Sequence, residues 1–352
     1  MQKIAIIEYK NIVSDNNVPF GHGKKVLYEA SDLCNKLGYN TVICAVISYM
    51  QKKCGVEQVI LKNAISAEKY NYRNLNKIFG NIALALKKCN ADIVWFTNID
   101  WFLLLYLGII KPKKRVIVTI YRDIFQEVFE NMKRKGVLGK IISYFIKRGK
   151  KCISLIIRTY QDDSTGLAQM YMPDYIYSKM YDTLKESTSK KKGVLCVGTI
   201  NSSDKDLFEM IEVFCKIDTP LLIKGKFVKD DDYGKACAMK TDNITIENKY
   251  LDEKEYYELI ATYEYVILPY NMRKYQNATS GIMREALYLD SKIIAPKKLL
   301  NGMKINGIGY DDICDLPRLL DENENKIFIN NIDEYKEDRV LNNLSNCIRN
   351  IT

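Results

Sequence analysis

The sequence predicts an α/β protein of two tandem domains, each a parallel sheet covered by helices. Three observations carry this expectation. Short β-rich apolar runs alternate with helical patterns along the chain. The alternation falls into two series separated by a polar, lysine-rich stretch, Lys185–Lys192. The 352 residues, 47% hydrophobic and 27% charged, supply enough apolar mass for two buried sheets.

In the first series, Ile4–Ile7 reads as a strand, Lys24–Leu37 as a helix and Thr41–Ile47 as the next strand. Ala91–Phe96, Arg115–Ile120 and Cys152–Ile157 follow as further strands with helical patterns between them. The second series opens on the strand Gly193–Val197 and continues with a helix at Asp204–Cys215. Strands at Leu221–Lys224 and Ile244–Ile246 come next, then a helix at Glu253–Thr262 whose start is set by Asp252 with Glu255 three residues on. A strand at Tyr265–Leu268, a helix at Gly281–Leu289 and a strand at Lys292–Ala295 complete it. The expected domains are residues 1–185 and 193–330, with 331–352 a C-terminal helix packing back on the first domain. Two such domains in tandem make a cleft at the carboxyl ends of their strands, where ligands of these sheets bind.

Composition excludes several classes. With 18 Gly and 7 Pro the chain is neither disordered nor linker-rich, and it has no repeat of fixed period. The N-terminal apolar run is too short for a signal peptide, and the longest apolar stretch, Trp101–Ile110, is about half of a membrane span. The 10 cysteines form no CxxC pair and there is a single His, so a structural zinc site is not expected. Cys44 and Cys196 read as small buried hydrophobes in a reducing, cytoplasmic setting. Asp230-Asp231-Asp232 reads as a solvated charge run.

The formal net charge of +10 is concentrated. No carboxylate lies between Glu130 and Asp162, where cations from Lys133 to Arg158 alternate with Val137, Leu138, Ile141, Ile142, Tyr144, Phe145 and Ile146. This pattern predicts a basic amphipathic helix. Two readings fit it: a core-packed helix with a solvated basic face, or peripheral contact of 133–158 with an anionic membrane, to which each cation adds about 1 kcal/mol. Nucleic acid is not an expected partner, because no nucleic-acid module accompanies the charge.

The segment richest in chemistry runs from Val266 to Ala295. A strand ending in Leu268-Pro269-Tyr270 enters a polar loop that closes on Thr279-Ser280-Gly281, the start of a helix. Free N–H groups and the helix dipole suit a phosphate there, and Gly281 permits close approach. Glu285, one turn on, is spaced to accept from ribose hydroxyls. The plain alternative is a helix capped by Ser280 or Thr279 with Glu285 in solvent.

These residues carry a resemblance. Tyr265–Pro296 resembles the donor-site signature of the retaining family-4 glycosyltransferases, of GT-B fold, with Glu285-Ala286 as its second Glu-Ala pair. The segments beginning at Gly193, Pro220 and Asn243 resemble those preceding the signature, so the likeness covers about residues 193–296. It implies two Rossmann-like domains facing each other across a cleft and a sugar nucleotide, UDP- or GDP-linked, as donor. It also implies metal-independent, retaining transfer of a hexosyl group. The acceptor would be a glycan or lipid-linked glycan, as in cell-surface polysaccharide assembly. By the same resemblance Gly198, Lys205 or Lys226, Tyr270, Thr279, Ser280 and Gly281 would hold the diphosphate. The loop Gly21-His22-Gly23 would approach the donor phosphate and the acceptor, with His22 near the reacting sugar, and Asp123 would face the acceptor. The chain departs from the pattern at Asn277, where a Glu is expected, at Thr199, where an Arg is expected, and at Asp290-Ser291-Lys292. Two alternatives therefore stay open: a non-catalytic GT-B partner subunit and a sugar-nucleotide epimerase.

Overall fold

The computed structural model describes residues 2–13, 19, 23–51, 55–66, 71–121, 136–159, 167–273 and 279–351. The chain forms two compact units: Met1–Thr159 with Asp163–Met172 and Val340–Thr352, and Pro173–Arg339 with Tyr160–Asp162.

The first unit contains β1 (Lys3–Ile7), β2 (Ile12–Val13), α1 (Gly23–Lys36), β3 (Asn40–Ala45), β4 (Glu57–Ile60) and β5 (Ile65–Ser66). After these come α2 (Leu75–Lys88), β6 (Ile93–Phe96), α3 (Trp101–Ile110), β7 (Arg115–Ile120), α4 (Gly136–Lys150), β8 (Ile153–Arg158) and β9 (Gln169–Tyr171). Seven strands make one sheet in the order β4-β3-β1-β6-β7-β8-β9, and every pairing in it is parallel. Its central strands are continuous apolar runs, as a sheet covered on both faces requires. Ile4, Ala5, Ile6 and Ile7 are fully buried, as are Ile93 to Phe96.

Helix α3 is apolar nearly all round because it is buried, from Phe102 to Gly108. The Asp100 side chain caps its start by accepting from the Leu103 N–H at 3.0 Å. It crosses α4 with backbones in contact: a Cβ on Gly108 would lie 1.8 Å from the Phe145 carbonyl oxygen, and one on Gly149 1.9 Å from that of Leu104. Only glycine fits either position. The approach buries only Gly139, Ile146 and Gly149 of α4. Val137, Leu138, Ile141 and Tyr144 are exposed, so most of the apolar stripe faces outward, unlike the first of the two readings, a core-packed helix. No helix among the described residues is long and apolar enough to cross a membrane.

The second unit contains α5 (Lys179–Glu186), β10 (Lys191–Val197), α6 (Leu207–Phe214), β11 (Leu221–Gly225), α7 (Asp230–Met239), β12 (Ile244–Asn248) and α8 (Glu253–Thr262). It continues through β13 (Tyr263–Ile267), α9 (Gly281–Tyr288), β14 (Lys292–Pro296), α10 (Lys297–Met303), β15 (Ile308–Tyr310) and α11 (Leu316–Asn323). Its sheet is parallel throughout, in the order β12-β11-β10-β13-β14-β15. One face packs under α6 and α11 through Leu207, Met210, Phe214 and Leu316. The expected cap of α8 is present, with Asp252 accepting from the Glu255 N–H at 2.8 Å. The stretch Lys185–Lys192 lies inside this unit, ending α5 and opening β10. The last helix, α12 (Glu337–Ile351), buries Val340, Leu344 and Ile348.

Among the described residues no disulfide forms, and Cys34, Cys44, Cys89 and Cys196 are buried thiols. Burial pushes the Cys34, Cys44 and Cys196 thiols above their ordinary range, which keeps them protonated and inert. Asp230, Asp231 and Asp232 form the acidic first turn of α7.

Candidate functional site

Each sheet reverses its strand order once, and the reversal opens a crevice at the carboxyl ends of the two strands concerned. In the second unit these are β10 and β13. Gly198 follows β10 with a φ of +96°, and its carbonyl oxygen would be 1.8 Å from a Cβ on Gly225. Both positions therefore need glycine to let two strand ends lie close.

Lys205 enters this crevice. Its backbone bridges to Tyr270 beyond β13, which fixes the side chain at the strand ends. It is 6% exposed. The ammonium donates to the Thr199 carbonyl at 2.9 Å and lies 5.7 Å from the centre of the Tyr270 ring. No described carboxylate pairs with it. A buried cation ordinarily has an anionic partner, so Lys205 has the environment of an anion ligand.

The same tyrosine reaches the start of α9. The Tyr270 and Ser280 hydroxyls meet at 3.2 Å, and Ser280, although at the N-cap position, makes no side-chain cap. The first N–H groups of the helix thus lack the usual serine oxygen, a feature that suits an anion. Thr279 is turned elsewhere, its hydroxyl donating to Asp174 at 2.9 Å. Gly281 has a packing reason to be glycine: a Cβ there would lie 2.2 Å from Cε2 of Tyr175.

Glu285 is 4% exposed, contrary to the solvated alternative. Its two oxygens accept from the Tyr256 hydroxyl at 2.6 Å and the Tyr257 hydroxyl at 2.8 Å, both from α8. Burial, then the adjacent Glu285 carboxylate, push both phenols well above the ordinary tyrosine range. The neighbouring Arg284 is fully buried, 4.1 Å from the Tyr335 ring centre.

The structure thus brings Gly198, Lys205, Tyr270, Ser280 and Gly281 to one switch point, with Glu285 one turn further along α9. Lys226 is exposed just beyond β11, and its carbonyl accepts from the Ile200 N–H at 2.9 Å. Gly23 is the first residue of α1 in the first unit. Gly21, His22, Asp123 and Asn277 lie outside the described residues. Tyr256, Tyr257 and Tyr175 went unnoticed in the sequence. The Tyr256-Tyr257 pair is visible there, but nothing local ties it to a carboxylate 28 or 29 residues away. Among the described residues no group of three or more His, Cys, Asp and Glu could hold a metal ion.

Two parallel Rossmann-like sheets of this order define the GT-B fold, and solved glycosyltransferase structures share it over the whole chain. AviGT4, a glycosyltransferase involved in avilamycin A biosynthesis, aligns with a TM-score of 0.59 and 10% identity, covering 100% of this chain and 98% of that one. Sucrose-phosphate synthase from Thermosynechococcus elongatus gives 0.63 and 12%, covering 100% and 95%. A UDP-forming α,α-trehalose-phosphate synthase from Burkholderia xenovorans, in complex with glucose-6-phosphate, gives 0.63 and 8%, covering 100% of both. At such identities the likeness is one of fold. No protein-family model matches the chain, and no curated protein does.

Proposed function

We propose that this protein is a glycosyltransferase that binds a nucleotide-diphosphate sugar at the β10/β13 switch point of its second unit. The observation carrying the proposal is Lys205, a nearly buried ammonium with no described carboxylate partner. It is linked through Tyr270 to the start of α9, which Ser280 does not cap. Sugar transfer leaves negative charge on the departing diphosphate, and a fixed cation with aligned N–H dipoles stabilises it. In this reading Lys205 and the start of α9 hold the diphosphate, so no metal ion is needed. Tyr256 and Tyr257 orient the Glu285 carboxylate toward the ribose. The donor-site resemblance further assigns His22 to the reacting sugar and Asp123 to the acceptor side, with the anomeric configuration retained. Both the similar structures and the donor-site resemblance support transfer from a sugar nucleotide.

The acceptor in this proposal is a glycan or lipid-linked glycan of cell-surface assembly, reached at an anionic membrane. The exposed row Val137, Leu138, Ile141 and Tyr144 on α4 supports it. Lys140, Lys147, Arg148, Lys150 and Lys151 flank that row, and the Arg148 guanidinium lies 5.5 Å from the Tyr144 ring centre. Apolar side chains among cations suit the headgroup boundary of an anionic bilayer.

The experiment is donor turnover by the purified protein with UDP- and GDP-sugars, with and without EDTA. Slow hydrolysis of one donor, unchanged by EDTA, is expected. Nucleotide binding without turnover of any donor would favour a partner subunit, and epimerised donor would indicate an epimerase.

A further inference from the structure

The first sheet also reverses its order, between β1 and β6, and a cavity of about 300 Å³ opens there. It is lined by Glu8 beyond β1, Thr97 and Asn98 beyond β6, Tyr121 beyond β7, Tyr49, and Val26 of α1. Glu8 is 5% exposed, so its carboxylate must be met by donors. The described residues supply three. Oε1 accepts from the backbone N–H groups of Lys10 at 3.1 Å and Asn11 at 3.3 Å. Oε2 accepts from the Thr97 hydroxyl at 2.7 Å. A carboxylate has about four acceptor positions, which leaves one on Oε2. That oxygen would be 3.5 Å from a Cβ on Gly23, at the start of α1. A buried acceptor thus faces the cavity with one position that no described residue fills.

We propose that this cavity binds a single neutral sugar ring, one hydroxyl of which donates to Oε2 of Glu8. As the acceptor subsite, it rests on the glycosyltransferase reading. Size selects a monosaccharide over a whole sugar nucleotide, because about 300 Å³ is the lower end of ligand cavities. Charge suits a neutral ligand: the charged residues among the described lining, Glu8 and Lys10, are opposite in sign, and the Lys10 ammonium is already 3.6 Å from the Asp100 carboxylate. The Tyr49 and Tyr121 rings offer apolar surface with a polar rim, which suits the C–H face of a sugar. Tyr49 is held by its hydroxyl donating to the Ile12 carbonyl at 2.7 Å.

The test is saturation-transfer NMR with methyl glycosides of glucose, galactose, mannose and N-acetylglucosamine, and with glucose-6-phosphate. At least one neutral glycoside should receive saturation from the wild type, and more strongly than glucose-6-phosphate. Val26→Trp, which fills the cavity from a half-buried helix position, should cut that signal at least fivefold, and Glu8→Gln should weaken it. Thermal stabilisation by UDP or GDP should be unchanged in Val26→Trp. No signal from any neutral glycoside, a stronger one from glucose-6-phosphate, or a signal that survives Val26→Trp would overturn the proposal. Loss of the nucleotide effect in the wild type with the sugar signal intact would sink the donor reading and leave this cavity standing as a sugar site.

Discussion

Tyr270 and Ser280 stand ten residues apart and meet through their hydroxyls at 3.2 Å, at a point where Ser280 would ordinarily cap α9. The contact ties the end of the strand segment to the start of the helix and draws the serine oxygen away from the helical N–H groups. It also places the Tyr270 ring against Lys205. One tyrosine therefore joins a buried cation to an uncapped helix start. Replacing Tyr270 by Phe frees Ser280 to cap α9, a change worth about 0.5–2 kcal/mol of stability. Thermal melting should show Tyr270→Phe at or above the wild-type midpoint, with a smaller shift on adding nucleotide. An undiminished nucleotide shift would show that the contact has no part in binding.

Glu285 leads to a stability prediction separate from its proposed ribose contact. Glu285→Ala strands two tyrosine hydroxyls, at about 1–3 kcal/mol for each one left buried without a partner. Urea unfolding should show a loss of about 2–6 kcal/mol, whereas Glu285→Gln, which keeps an acceptor, should lose less. Equal effects of the two variants would contradict the pairing.

Alkaline pH acts through the same cluster. Tyr256 and Tyr257 have folded-state pKa values raised above those of the unfolded chain. Their contribution is therefore fully present below the unfolded value, about 10, and lost as pH rises above it. Unfolding free energy should fall above pH 10, and less steeply in Tyr256→Phe. Ionisation of every tyrosine near pH 10 with the fold retained, followed by tyrosinate absorbance, would refute the shift.

The α3–α4 crossing predicts opposite outcomes for two Gly→Ala changes. At Gly149 a Cβ would meet the Leu104 carbonyl at 1.9 Å, whereas at Gly234, within α7, it would meet nothing within 4 Å. Gly149→Ala should destabilise by more than about 2 kcal/mol, since backbone must move. Gly234→Ala should stabilise by about 0.5–1 kcal/mol. Chemical denaturation of both variants decides it, and a neutral Gly149→Ala would contradict the close approach.

The strands and helices of both sheets were legible because local patterns encode them. Ile4–Ile7 is a continuous apolar run, and Asp252 with Glu255 marks the start of α8. The grouping of Lys205, Tyr270 and Ser280 was legible through resemblance, but their contacts were not. The Gly281 requirement comes from Tyr175, and the partners of Glu285 come from another helix. Such pairings are set by tertiary packing, and no spacing in the sequence records them. Glu8 was missed for the same reason, since a carboxylate after a first strand carries no signal until β6 brings Thr97 to it. The amphipathic pattern of α4 is legible in the sequence, but the side it turns toward the core is set by the close approach at Gly108 and Gly149.

The central claim is that Lys205 receives the diphosphate of a nucleotide. Isothermal calorimetry of UDP and GDP with the wild type and Lys205→Ala tests it most directly. One nucleotide should bind the wild type, and the variant should bind it at least tenfold more weakly, since a hydrogen bond to a charged group is worth about 1.5–3 kcal/mol. Binding of neither nucleotide, or equal binding by a folded Lys205→Ala protein, would contradict the account.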